Sequence, residues 1–160
     1  MQELATNVAG FPLRLRWLRM GADLCLTLSG GEQEHIGAVA VAQPRPSLAD
    51  PTRTSATASV ITLAGHKEDM LAREIALNVA STLNIVACVA CGIHVRHPTP
   101  DMLEELVAAS HGLVDAFLAE MQNTAKSSFI QAGVASSRRA SSPDADSDTE
   151  PRTAGRASAR

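Results

Sequence analysis

The chain has 160 residues, a formal net charge of −3, one Trp, three Phe and no Tyr. With no basic stripe and almost no rings for bases to stack on, nucleic-acid binding is not expected. No apolar run reaches the roughly 18 residues of a membrane-spanning helix, so no membrane association is expected either.

The opening "MQELATNVAG" is expected to be a flexible lead-in over 1–10. It lacks a basic segment followed by an apolar one, so it is not a secretory signal. The expected location is therefore cytoplasmic, with Cys25, Cys88 and Cys91 as reduced thiols. "FPLRLRWLRM" alternates Leu13, Leu15 and Trp17 against Arg14 and Arg16, the period of a half-exposed strand. "LCLTLSG" repeats the pattern with Leu24, Leu26 and Leu28. After the turn-forming "GGEQE", "HIGAVAVA" makes a third strand. Short Gly-containing turns between these three predict an antiparallel meander.

"QPRPSLADPTRTSAT", with three prolines, is expected to be the longest irregular stretch of the domain. "ASVITLAG" is a fourth strand. It runs into a helix over "HKEDMLAREIALNVASTL", with Leu71, Ile75, Val79 and Leu83 at helical spacing. Glu68 and Asp69 suit the positive end of that helix. "NIVACVACGIHV" is apolar on both faces and so reads as a central strand. It should pair in parallel with the fourth strand through a right-handed crossover. In "PTPDMLEELVAASHGLVDAFLAEMQ", Thr99 caps a second helix. Leu103, Leu106, Val107, Val114, Phe117 and Leu118 form its apolar stripe. The Ser-, Ala- and Arg-rich remainder cannot bury enough surface to order itself and is expected to be a disordered tail over 125–160.

The expected fold is thus one α+β domain over 11–124. It has a mixed, mainly antiparallel sheet of five or more strands in β-β-β-β-α-β-α order, with two helices on one face.

Three histidines fall at strand ends: His35 opens the third strand, His66 follows the fourth and His94 ends the fifth. If the third and fourth strands are antiparallel and the fifth runs with the fourth, all three share one sheet edge. Imidazole nitrogens there could hold a divalent transition metal. Alternatively, each is a loop residue hydrogen-bonded to backbone. Lys67, following His66 at a strand-to-helix turn, suits an anion at a helix N-terminus, or is simply a solvated lysine. Arg45, Ser47, Arg53, Ser55 and Thr57 suit phosphate or ribityl hydroxyls, or form a polar surface loop. Cys88 and Cys91 form a C-x-x-C pair inside a strand. Residues three apart there face opposite sides, so a redox or zinc role is rejected. Glu32 and Glu34 could support His35 or be turn residues. No serine-nucleophile motif or glycine-rich nucleotide fingerprint is present.

Together, "GGEQEHIGAVAVA", "PRPSLADPTRTSATASVITLAGHKED" and "VACGIHV" resemble the LpdD-like proteins, the small D subunits of gallate and hydroxyarylic-acid decarboxylase systems. The resemblance covers roughly residues 20 to 120. It implies a non-catalytic chaperone that takes reduced prenylated FMN from a UbiX-type flavin prenyltransferase and passes it to a UbiD-type decarboxylase. Carried onto this chain, the family's motif histidines fall on His35, His66 and His94, its lysine on Lys67, and its loop on "RPSLADPTRTSAT". Arg96 stands where the family pattern often has an acidic residue. Two other readings stay open: a small metal-dependent lyase or hydrolase built on the three histidines, and a structural subunit of the decarboxylase. A homo-oligomer is also open.

Overall fold

A computed structural model describes residues 1–139, with side chains placed through Ala125. In chain order the elements are β1 (Gln2–Val8), β2 (Phe11–Met20), β3 (Asp23–Gly31), β4 (Gln33–Pro46), β5 (Thr54–Thr62), α1 (Asp69–Leu83), β6 (Ala87–His94) and α2 (Pro100–Arg139). The six strands form one sheet in the order β1-β2-β3-β6-β4-β5. β3 and β6 run parallel, and the other neighbours are antiparallel. The α+β class, the mostly antiparallel sheet and the central place of β6 agree with the sequence reading.

Four features correct that reading. First, residues 1–10 were expected to be flexible, yet Gln2–Val8 is an edge strand paired along its length with β2. Half-buried Leu4 and Val8 pack on the core, and Glu3 bridges to Arg16 at 2.6 Å. Second, the three-strand meander is broken, because β6 inserts between β3 and β4. β6 therefore pairs in parallel with β3, while β4 separates it from β5. Third, most of the expected proline-rich loop is strand, leaving only residues 47–53 between β4 and β5. Pro44 and Pro46 are tolerated because β6 begins at Ala87, opposite Ala42. Beyond that point β4 has no neighbour on its β6 side to receive an N–H. Fourth, the first part of the expected tail, 125–139, continues α2 as helix to Arg139. Nothing in 125–139 except Gly133 opposes a helix, and the next proline is Pro143. The rest of the expected tail, 140–160, lies outside the described residues.

The core lies on one face of the sheet. Leu13, Leu15 and Trp17 of β2, Leu24, Leu26 and Leu28 of β3, Ala38, Ala40 and Ala42 of β4 and Val89 of β6 are all buried there. α1 packs over β4, β5 and β6. Its inward residues Ala72, Ala76 and Ala80 join the same cluster as the β4 alanines. Small side chains on both elements let helix and sheet approach closely. Toward β2 the cluster holds larger groups, and Phe117 of α2 meets Trp17 edge-on, ring centres 4.9 Å apart. α1 ends at Asn84 in the left-handed conformation, and α2 starts where the Thr99 hydroxyl accepts the Met102 N–H at 3.2 Å. Cys91 faces this core, and burial pushes its thiol up to about 12, with the nearby Glu68 charge adding to the effect. Cys88 is half-buried beside Cys25 of β3, which accords with opposite orientations for the C-x-x-C pair.

At one corner of the open face, Glu34 accepts from Arg14 at 2.9 Å and from Arg16 at 3.2 Å. The Arg16 hydrogen bond, opposed by partial burial and assisted by Arg14, holds the Glu34 carboxyl below its ordinary 4.5. A carboxylate with a depressed folded pKa stabilises above its unfolded pKa, and that contribution is lost as pH falls through the folded value. These side chains are partly exposed, so solvent screening keeps the effect to roughly 0–1 kcal/mol. Melting wild type and Glu34→Gln between pH 7 and pH 3 should show a small wild-type advantage that closes only below pH 4.5.

Candidate functional site

The candidate site is made by the way the chain rounds the C-terminal end of β6. β3 stops at Gly31 and β4 starts at Gln33, so their connection must pass over the strand that separates them. Glu32 does so with its N–H on the His94 carbonyl at 2.7 Å. A Cβ on Gly31, which has φ +81°, would fall on the backbone of His94. β4 then departs from regular pairing with β6 between Glu34 and Ala38, and that irregular segment carries His35, Ile36 and Gly37. Such a bulge re-aims side chains, here at the start of α1. Antiparallel pairing of β4 with β5 brings the end of β5 and the following His66 to the same corner.

His35 Nε2 lies 3.0 Å from His66 Nδ1 and 3.3 Å from Glu68 Oε1, and His66 Nδ1 lies 3.8 Å from Glu68 Oε2. One ligand atom from each residue falls within 4.8 Å of the others. Nitrogen and oxygen donors about 2.0–2.1 Å from a tetrahedral ion stand about 3.3 Å apart, which these distances bracket. His35 Nδ1 is 3.4 Å from the Gln33 carbonyl. Donation there leaves Nε2, the nitrogen facing the other two groups, with its lone pair. His94 reaches the group by its ring, centred 5.9 Å from that of His35 and edge-on to it. The structure thus gathers all three histidines at one corner, but the two nearest nitrogens are joined by a carboxylate rather than by His94.

Glu68 is the group that sequence reasoning missed, having assigned it to the helix start for its charge. It is the N-cap residue of α1, but its side chain makes no capping bond. Instead Oε2 accepts the Lys67 N–H at 2.9 Å and Oε1 accepts the Ile93 N–H at 3.3 Å. Its carboxylate occupies the space that a Cβ on Gly37 would fill. The available signal was an acid two residues after a histidine at a strand-to-helix turn, in "GHKED". Glu32 and Glu34 have other partners: Arg96, at 3.2 Å from Glu32, and the Arg14–Arg16 pair.

Beside this group lies a cleft of about 340 Å³. Lys67 and His66 line its polar rim, and Leu71, Ile93, Leu106 and Val107 its apolar wall. Leu103 and Val107, expected in the buried stripe of α2, are 49% and 42% exposed and line this cleft instead. Its volume is near the low end of small-molecule sites, roughly 300–1,000 Å³.

Arg45, Ser47, Arg53, Ser55 and Thr57 do not join this corner within one chain. They sit at the far end of the β4–β5 hairpin, where Arg45 pairs with Ser55 and donates to the Thr57 hydroxyl at 2.8 Å. Ser47 N–H donates to the Arg53 carbonyl at 2.8 Å and closes the loop. Ten residues of strand separate Arg45 from His35, which is roughly 30 Å. His111 is remote as well, reaching from α2 to Glu74 of α1 at 3.5 Å.

In comparison with known proteins, residues 7–122 match the family described as prenylated flavin chaperone LpdD-like domains. Comparison with curated proteins returns no match.

Proposed function

Since the chain belongs to the prenylated flavin chaperone LpdD-like family, we propose that it carries reduced prenylated FMN from a UbiX-type prenyltransferase to a UbiD-type decarboxylase and performs no chemistry itself. The observation that carries the reading is the cleft beside His66 and Lys67. Its polar rim at the start of α1 suits the phosphate end of an amphipathic ligand, and its wall of Leu71, Ile93, Leu103, Leu106 and Val107 suits a ring. A cleft of about 340 Å³ grips only part of a flavin, and no Phe, Tyr or Trp lines it for strong stacking. Partial enclosure favours a cargo that must leave again.

The reading includes a divalent metal on His35, His66 and Glu68, with His94 beside them. Lys67 alone does not make this corner cationic, because Glu68 and Asp69 bring two carboxylates to the same turn. A divalent ion on the triad would offset them and favour a phosphate next to Lys67. Three protein donors also leave a fourth position open.

The test is reconstitution. Apo-decarboxylase incubated with prenyltransferase, its substrates and this protein should gain activity faster than without it, and the protein alone should turn over nothing. His35→Ala should keep the fold and lose cofactor or metal retention. No effect on reconstitution would sink the carrier reading. The open fourth position also favours a second reading, a small metal-dependent lyase or hydrolase. Turnover of phenolic acids by the metal-loaded protein without any partner would favour it.

A further inference from the structure

The arrangement of β5 supplies what a single chain leaves apart. β5 is the last strand of the sheet, paired with β4 on one side from Thr54 to Thr62 and with no strand on the other among the described residues. Its sequence, "TSATASVIT", has no charge, no proline and no glycine. Free edges are ordinarily guarded by charge, proline, a bulge or a covering element, because their unpaired N–H and C=O groups recruit another strand. The opposite edge, β1, carries Glu3 in an ion pair with Arg16. β5 carries no such guard.

We propose that a second copy of this chain pairs antiparallel along β5 about a two-fold axis, and that the hairpin end of each copy completes the candidate site of the other. The register that uses all nine residues sets Thr54 against Thr62, Ala56 against Val60 and Ala58 against itself. It keeps residues of like face together. The half-buried Ala56, Ala58 and Val60, which pack on the core, therefore continue onto the same face of the copy. Opposed side chains in the pairing are small enough to meet without clash.

One residue past the strand ends, the register sets Arg53 opposite Leu63; beyond it both chains turn, at Asp50–Arg53 and at Leu63–His66, so the hairpin loop of one copy lies beside the turn that leads into α1 of the other. Charge across the join is complementary, because Arg53 comes to the side of a corner that holds Glu68 and Asp69. The loop of one copy and the corner of the other, about 30 Å apart within a chain, become neighbours at each end of the paired strands. Two equivalent composite sites result. Their use for a flavin phosphate rests on the carrier reading, whereas the pairing itself does not.

Sedimentation equilibrium of the full chain should give twice the 16.8 kDa chain mass. Ser59→Lys with Ile61→Lys, both at exposed positions, should weaken the association at least tenfold while leaving the circular dichroism unchanged. Mixing an Arg53→Cys chain with a Leu63→Cys chain under mild oxidation should give a disulfide-linked dimer well above the wild-type background. A monomeric wild type would overturn the proposal, as would a dimer unmoved by the two lysines or an absent cross-link. None of these measurements uses flavin, so a failed reconstitution would count against the carrier reading alone.

Discussion

Glu68→Gln is expected to weaken divalent-metal binding at least about 100-fold, the upper end of what losing a mere supporting residue costs a metal site. The substitution keeps the shape of the side chain and removes the charge that a cation on His35 and His66 requires. Titration calorimetry with Zn²⁺ on wild type and variant would measure it. Equal affinities would place any metal elsewhere. Gly37→Ala should act in the same direction without touching a ligand, since its Cβ would displace the Glu68 carboxylate from the space it occupies. That carboxylate is the movable end of a side chain, so the fold should survive. A Gly37→Ala protein with wild-type melting temperature and lost metal affinity would separate the cradle from the core.

Gly92→Ala is expected to do the opposite and damage the fold first. Its Cβ would land on the His35 carbonyl, with the Gly37 nitrogen 3.2 Å away. Both are backbone of β4, so neither can swing aside as a side chain would. Forcing extra volume into such a contact costs about 1–3 kcal/mol. For a domain of this size that is a fall in melting temperature of roughly 5–15 °C. Differential scanning calorimetry would read it, and an unchanged midpoint would mean that β4 and β6 stand further apart here than the structure places them.

The sequence was most informative where a signal is local. Alternation marked β2 and β3, helical spacing with the Thr99 cap marked α2, and apolarity on both faces marked β6 as central. What it hid was relational. β1 lacks strong alternation because only Leu4 and Val8 reach the core. The prolines of "QPRP" read as loop because nothing local tells that β4 has lost one neighbour there. Insertion of β6 between β3 and β4 is invisible to periodicity, since a strand pattern does not name its partners. The site followed the same division. Histidines at strand ends were legible as a group, and they do share a corner. Glu68 was not, because its role depends on the missing side chain of Gly37, thirty-one residues earlier.

Passage of the β3–β4 connection over the end of β6 also bears on the order in which the chain assembles. β3 and β4 are joined by the single residue Glu32, and a tight antiparallel hairpin between them would form quickly. The native sheet forgoes that hairpin and keeps a slot for a strand more than fifty residues downstream. Distant pairing forms more slowly than local pairing, because a long loop must close before any contact repays it. A hairpin formed early would have to open before β6 could enter the sheet. On a ribosome, the corner holding His35 stays incomplete until His94 has emerged.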